Sequence, residues 1–206
     1  MRGLLIKDLY LICKYGRAFI LIVAVFIVVS FMGDGNMFFI SYPCIISGLL
    51  PMTLIAYDER DKWDMYAGGL PYTKTQLVCG KYVIGLSMSV LVLAAIAIAE
   101  AFRMHNAQVF AVSSYLNLLL LLFSISLLVP SLMLPFVFKF GAEKGRVIYY
   151  VIIALTCVGS TAFVRTGTNI TIFVSNAGIY SVLAASIFLY VMSWLLSVCF
   201  YKKREI

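Results

Sequence analysis

Residues 57–82 read YDERDKWDMYAGGLPYTKTQLVCGKY, and the reading of this stretch decides the fold. Asp58, Glu59, Arg60, Asp61, Lys62 and Asp64 place six charged side chains within seven positions, in a chain with only 16 Lys and Arg and 9 Asp and Glu. Trp63, one of two tryptophans, stands among them. Apolar runs without a charge flank the stretch on both sides. A bilayer core of about 30 Å takes roughly 20 helical residues to cross, and runs of about that length recur along the chain. Hydrophobic residues make up 63% of it and mean hydropathy is +1.02, well beyond the range of soluble globular chains.

These observations predict an all-α polytopic membrane protein, a single transmembrane domain over residues 1–206. Six transmembrane helices are expected near 18–32, 37–56, 77–99, 116–138, 147–164 and 179–200. An N-terminal interfacial helix (1–17) would precede them, and a polar segment (57–72) would join the second and third. The 206 residues are nearly used up by these spans, so no soluble domain of ordinary size is expected. No cleavable signal peptide is expected either. The first strongly apolar run starts near Ala18, leads into a second span and lacks a small-x-small cleavage site.

Net charge is +7, but its distribution argues against nucleic acid as a partner. With the spans as above, one side of the membrane receives Arg2, Lys7, Lys14, Arg17, Arg60, Lys62, Lys74, Lys81, Lys139, Lys144, Arg146, Lys202, Lys203 and Arg204. Only Arg103 and Arg165 fall opposite. Positive charge in short loops stays cytoplasmic, which places both termini inside and supports an even number of spans. The five cysteines, Cys13, Cys44, Cys79, Cys157 and Cys199, are dispersed and odd in number, and read as packing residues rather than disulfides or a metal site.

On a helix over residues 2–17, Leu5, Leu9 and Ile12 share one face while Lys7 and Lys14 lie on the other, the pattern of a helix resting along the membrane surface. Gly33-Asp34-Gly35-Asn36 reads as a tight turn. Pro43 and Pro51 in the second span, and Pro130 and Pro135 in the fourth, predict bent helices. Within 57–82 the charged island reads as a short helix set apart from the spans, stopped by Gly68-Gly69 and Leu70-Pro71. Asp58 and Lys62, four apart, would pair on its exposed surface. Thr73-x-x-Gln76 matches a capping box opening the third span. Trp63 suits either the headgroup belt or a pocket in a partner. Lys139 to Arg146 would form a second, smaller contact on the same side. His105 reads as a solvated surface residue, and the Asn169-Ile170-Thr171 sequon matches by a pattern frequent by chance. Gly85/Ser89, Ala95/Ala99 and Ser181/Ala185 are spaced for close helix approach.

The chemistry missing from the sequence narrows the function. There is no G-x-x-x-x-G-K-[ST] loop, no H-E-x-x-H and only one His, so this chain is not expected to hold ATP through a phosphate loop, or a catalytic metal. With Lys81 placed at the end of its span, ionisable residues at mid-membrane are nearly absent, whereas ion-coupled transporters keep them there. An energy source inside the chain is hard to find.

The order of a basic amphipathic N-terminus (Met1 to Leu9), two spans, then Asp58-Glu59, Lys62-Trp63-Asp64, Leu70-Pro71, Lys74, Val78 and Lys81-Tyr82 resembles the small six-helix permease subunits of ABC-2 type exporters. The branch suggested is the one that includes permeases of the phenol-soluble modulin exporter of Gram-positive bacteria. The motif content lies within the first 85 residues or so; beyond them the likeness is one of hydropathy. The resemblance implies a two-fold dimer, identical or mixed, in the plasma membrane of a bacterium, docked on a separate ABC ATPase that binds ATP and Mg. It also implies that 57–72 is the coupling helix, with Glu59, Arg60, Asp61, Lys62, Trp63 and Asp64 as the ATPase contact, Trp63 as its anchor, and Lys7 and Lys14 on the interfacial helix beside it. The loop from Arg165 to Ala177 is short for the re-entrant helices of some larger relatives. Aromatic-rich helices without charge suit a hydrophobic or amphipathic cargo such as a peptide. Two other readings stay open: a membrane immunity, sensor or scaffold protein whose charged loop binds a regulator, and a self-contained secondary transporter.

Overall fold

A computed structural model describes residues 2–32, 37–67, 69, 72–106, 112–148, 150–151 and 176–203. Among these it is helical, with no strand. The elements are α1 (Arg2–Tyr15), α2 (Arg17–Met32), α3 (Met37–Arg60), α4 (Trp63–Ala67), α5 (Lys74–Asn106), α6 (Val112–Phe140) and α7 (Asn176–Lys203). A further helical stretch, 142–148, follows α6. The expected turn at Gly33–Asn36, Leu70-Pro71, the sequon, Cys157, most of the 147–164 span and nearly all of the loop from Arg165 to Ala177 lie outside the described residues.

Among the described residues four helices, α3, α5, α6 and α7, are long and apolar enough to cross a bilayer. At 16 residues α2 is about 24 Å long and falls short alone. It qualifies only together with α1, from which it bends by 66°. The break has a local cause at Gly16. A Cβ there would run into the Ile12 carbonyl oxygen, and the Gly16 N–H bonds that same carbonyl at 2.7 Å. The face α1 buries differs from the one its pattern suggested. Leu4, Asp8 and Ile12 point inward, while Leu9 is exposed. A carboxylate therefore shares the inward stripe with two aliphatic side chains.

The core sits where α3, α5, α6 and α7 meet. Met52, Ile55, Val78, Tyr82, Met133, Leu134, Val137, Phe138 and Tyr201 form its largest cluster. Small residues bring the backbones together there: a Cβ on Gly85 would lie 2.6 Å from Pro51, and one on Gly48 would lie 2.8 Å from Val129. Pro43 and Pro51 lie inside α3, and Pro130 and Pro135 inside α6. Ser47, Ser126 and Ser131 each stand four residues before one of them, and each donates its hydroxyl to the carbonyl three residues back. Tyr82 ties α5 to α7 through Ser193 and Ser197, both at 2.7 Å, and its carbonyl accepts from the Tyr190 hydroxyl at 2.8 Å. By contrast α7 buries only 17% of its apolar window against 56% for α3, and turns Phe188, Val191, Leu195 and Leu196 outward.

Candidate functional site

The charged island does not fold as one short helix. Asp58, Glu59 and Arg60 complete the last turn of α3, and the chain then breaks at Lys62, whose φ of 53° is left-handed. That conformation costs a non-glycine residue about 1–2 kcal/mol, so the turn is held by its surroundings. Hydrogen bonds from Asp61 to the Tyr57 carbonyl (2.9 Å), from Lys62 to that of Glu59 (3.2 Å) and from Met65 to that of Lys62 (3.2 Å) close it. The five residues of α4 follow, and the chain turns back through the predicted capping box. The Gln76 N–H bonds Thr73 Oγ1 at 3.3 Å and the Thr73 N–H bonds Gln76 Oε1 at 3.2 Å.

The expected surface pair of Asp58 with Lys62 does not form. Asp58 follows Leu54 and Ile55 on the inward face of α3 and is buried. Its partners come from two other helices: Lys7 Nζ lies 2.6 Å from Oδ1 and Lys81 Nζ 2.6 Å from Oδ2. Asp8 joins them, with both carboxylate oxygens 2.9 Å from Lys81 Nζ and Oδ1 3.2 Å from Lys7 Nζ. Two cations and two anions thus alternate in a neutral quartet across α1, α3 and α5. Each buried ion alone would be penalised by several kcal/mol, and alternation is what makes the arrangement tolerable. Asp58 even sits in the last turn of its helix, where the macrodipole disfavours an anion by about 0.3–1 kcal/mol. Its two lysines outweigh that.

Glu59 turns the other way. Its Oε2 accepts the Ala142 N–H at 2.8 Å, placing an anion at the start of the 142–148 helical stretch, where the dipole favours one. Gly141 permits the approach. Its φ is +88°, and a Cβ would lie 3.2 Å from Glu59 Oε1. The segments 57–72 and 139–146, expected to offer separate contacts, are therefore fastened together.

Of the residues expected to face a partner, Arg60, Asp61 and Lys62 are exposed, Glu59 is half-buried and engaged, and the side chain of Asp64 lies outside the described residues. Trp63 is half-buried, with Lys7 Nζ 4.1 Å from its ring centroid and the Tyr66 ring 5.2 Å away. Lys14 is exposed, but Lys7 turns inward rather than lying on a solvent face. Met65 and Tyr66, not singled out from sequence, are the strongly exposed apolar residues of α4, at 73% and 63%. Their signal was an amphipathic pattern too short to read in a five-residue helix. Asp8 and Lys81 were also missed as a pair, because they stand on different helices 73 positions apart.

Beside the island, a groove of about 500 Å³ opens between α3 and the turn after α6, lined by Arg60, Phe140, Lys144 and Arg146 among others. At the far end of the molecule Glu100, 1% exposed, accepts from Ser30 Oγ on α2 at 3.1 Å and from Arg103 at 2.7 Å.

No curated protein and no solved structure matches the chain. A family model described as ABC-2 family transporter protein does match, over residues 3–202, and with its apolar helices the chain belongs to the ABC-2 transporter family as a multi-pass membrane permease subunit.

Proposed function

We propose that this chain is the membrane half of an exporter whose fuel is ATP hydrolysed on a separate ABC subunit, which binds the nucleotide and Mg. In this reading the end of the molecule carrying Lys7, Lys81, Lys139 and Lys202 faces the cytoplasm of a bacterial cell, as the positive-inside rule requires. The chain crosses the plasma membrane six times, α1 lies along the inner leaflet, and α4 with its preceding turn is the coupling helix. The thinly packed outer face of α7 meets lipid or a second permease copy. The cargo is hydrophobic or amphipathic, a peptide being the case suggested by the likeness to phenol-soluble modulin exporters.

The observation that carries this proposal is the tip of residues 60–66. Exposed Arg60, Asp61 and Lys62 surround a half-buried Trp63, with Met65 and Tyr66 uncovered beside it. Aromatic, Met and Arg side chains at the centre with charges at the rim is the composition of a protein docking patch. The adjacent groove, lined by Arg60, Lys144 and Arg146 together with Glu59 and Glu143, extends the same mixed-charge surface to the 139–146 turn.

The test is co-purification with the candidate ATPase from detergent. Trp63→Ala combined with Tyr66→Ala should lower recovery of the ATPase at least about tenfold, the effect of losing one hot-spot cluster, while membrane insertion is unchanged. Glu59 is a poor probe because its carboxylate holds Ala142. Wild-type recovery in the double variant would overturn the proposal. Flux driven by an ion gradient in liposomes holding this chain alone would favour a secondary transporter.

A further inference from the structure

We infer that Lys7 is a positioning residue that ties the docking tryptophan to α3 and α5, so that displacement of Trp63 is felt directly at the ends of two transmembrane helices. The inference rests on the docking reading above and adds a residue and a path to it.

A helix of five residues does not hold its own geometry, because nucleation fixes several dihedrals for very few hydrogen bonds. The orientation of Trp63 must come from outside α4. Its ring meets Tyr66, on the same short helix, and from outside that helix the Lys7 ammonium of α1, within a cavity also lined by Leu4, Ile55 and Leu77. That ammonium also lies 2.6 Å from Asp58 Oδ1 and 3.2 Å from Asp8 Oδ1. The second oxygen of Asp58 belongs to Lys81 on α5. A continuous chain of contacts therefore runs from Trp63 through Lys7 and Asp58 to Lys81, crossing α4, α1, α3 and α5.

The physics of the quartet gives this chain its stiffness. If a partner draws Trp63 away and Lys7 follows, two buried carboxylates are left facing one lysine. Low surrounding polarity makes that imbalance expensive, so Lys7 does not leave Asp58 readily. Either the ring loses its cation, or α1, α3 and α5 move with it. Exposed Lys62, next in sequence to Trp63, lies outside the quartet and serves as the control.

The experiment reads Trp63 without any partner. The chain has two tryptophans, and the indole N–H of Trp194 has no hydrogen-bond partner among the described residues, so Trp194→Phe leaves Trp63 as the single reporter. In nanodiscs, acrylamide quenching and emission of Trp63 would be compared in the parent, Lys7→Met, Lys7→Arg, Asp58→Asn and Lys62→Met. Loss of a cation–π contact of this kind shifts the balance between seated and loose ring by about two- to fivefold. Lys7→Met should raise the quenching constant within that range, Lys7→Arg should restore it, Asp58→Asn should raise it through loss of the Lys7 anchor, and Lys62→Met should leave it unchanged. If Lys7→Met fails to fold, Lys7→Met with Asp8→Asn, which restores neutrality, replaces it. Unchanged quenching in the folded Lys7 variant would overturn the inference. The docking reading fails separately, if Trp63→Ala with Tyr66→Ala retains the ATPase whatever Lys7 does.

Discussion

Two buried carboxylate sites, one at each end of the molecule, use the same chemistry to different effect. At the far end Glu100 finds its cation three residues along its own helix, in Arg103, and reaches α2 only through the Ser30 hydroxyl. At the end that carries the charged island, Asp58 finds its cations 51 positions before it and 23 after it, and Asp8 pairs with a lysine 73 positions away. The first site is a local pair with one neutral tether. The second is a joint between three helices, and none of its members can be removed without unbalancing the others. Equal burial thus says little about mechanical role; the origin of the partners decides it.

The sharpest way to break this contrast is Lys81→Met. It leaves Asp8 and Asp58 sharing Lys7 in a buried site, and should destabilise the protein by about 3–5 kcal/mol. Adding Asp58→Asn should recover most of the loss, because the remaining Lys7 and Asp8 balance. Thermal unfolding in detergent, followed by circular dichroism, measures both, and an additive loss in the double variant would refute the neutral-quartet account. A smaller effect is expected at the neighbouring joint. Gly141→Ala forces a side chain into φ +88° and towards the Glu59 carboxylate, for a loss of about 1–2 kcal/mol by the same measurement. The smallest belongs to the local site. Glu100→Gln keeps a partner for Ser30, and Arg103, 26% exposed, can turn to solvent. The expected loss is about 1 kcal/mol. A loss at Glu100 as large as that at Lys81 would erase the distinction between the ends.

Much of this architecture was legible before any coordinates. The capping box at Thr73 and Gln76 and the positions of α3, α5, α6 and α7 follow from residues that act on their own backbone or partition individually into lipid. What misled was local pairing. Asp58 and Lys62 have the spacing of a helical ion pair, but that pair requires the helix to continue, and it ends at Arg60 with Lys62 left-handed. On α1, Asp8 looks like an interruption between Leu4 and Ile12. It is buried because Lys81 meets it there, and nothing within its own helix announces that.

Hydropathy accumulates residue by residue, so the sequence alone was enough to indicate a helical, multi-pass membrane chain interrupted by a charged segment. Whether a given charge faces water or another charge depends on an energy that falls with distance in space and ignores distance along the chain. Only the packing of α1 against α3 and α5 could turn Lys7, Asp8, Asp58 and Lys81 from four scattered polar residues into a single buried joint.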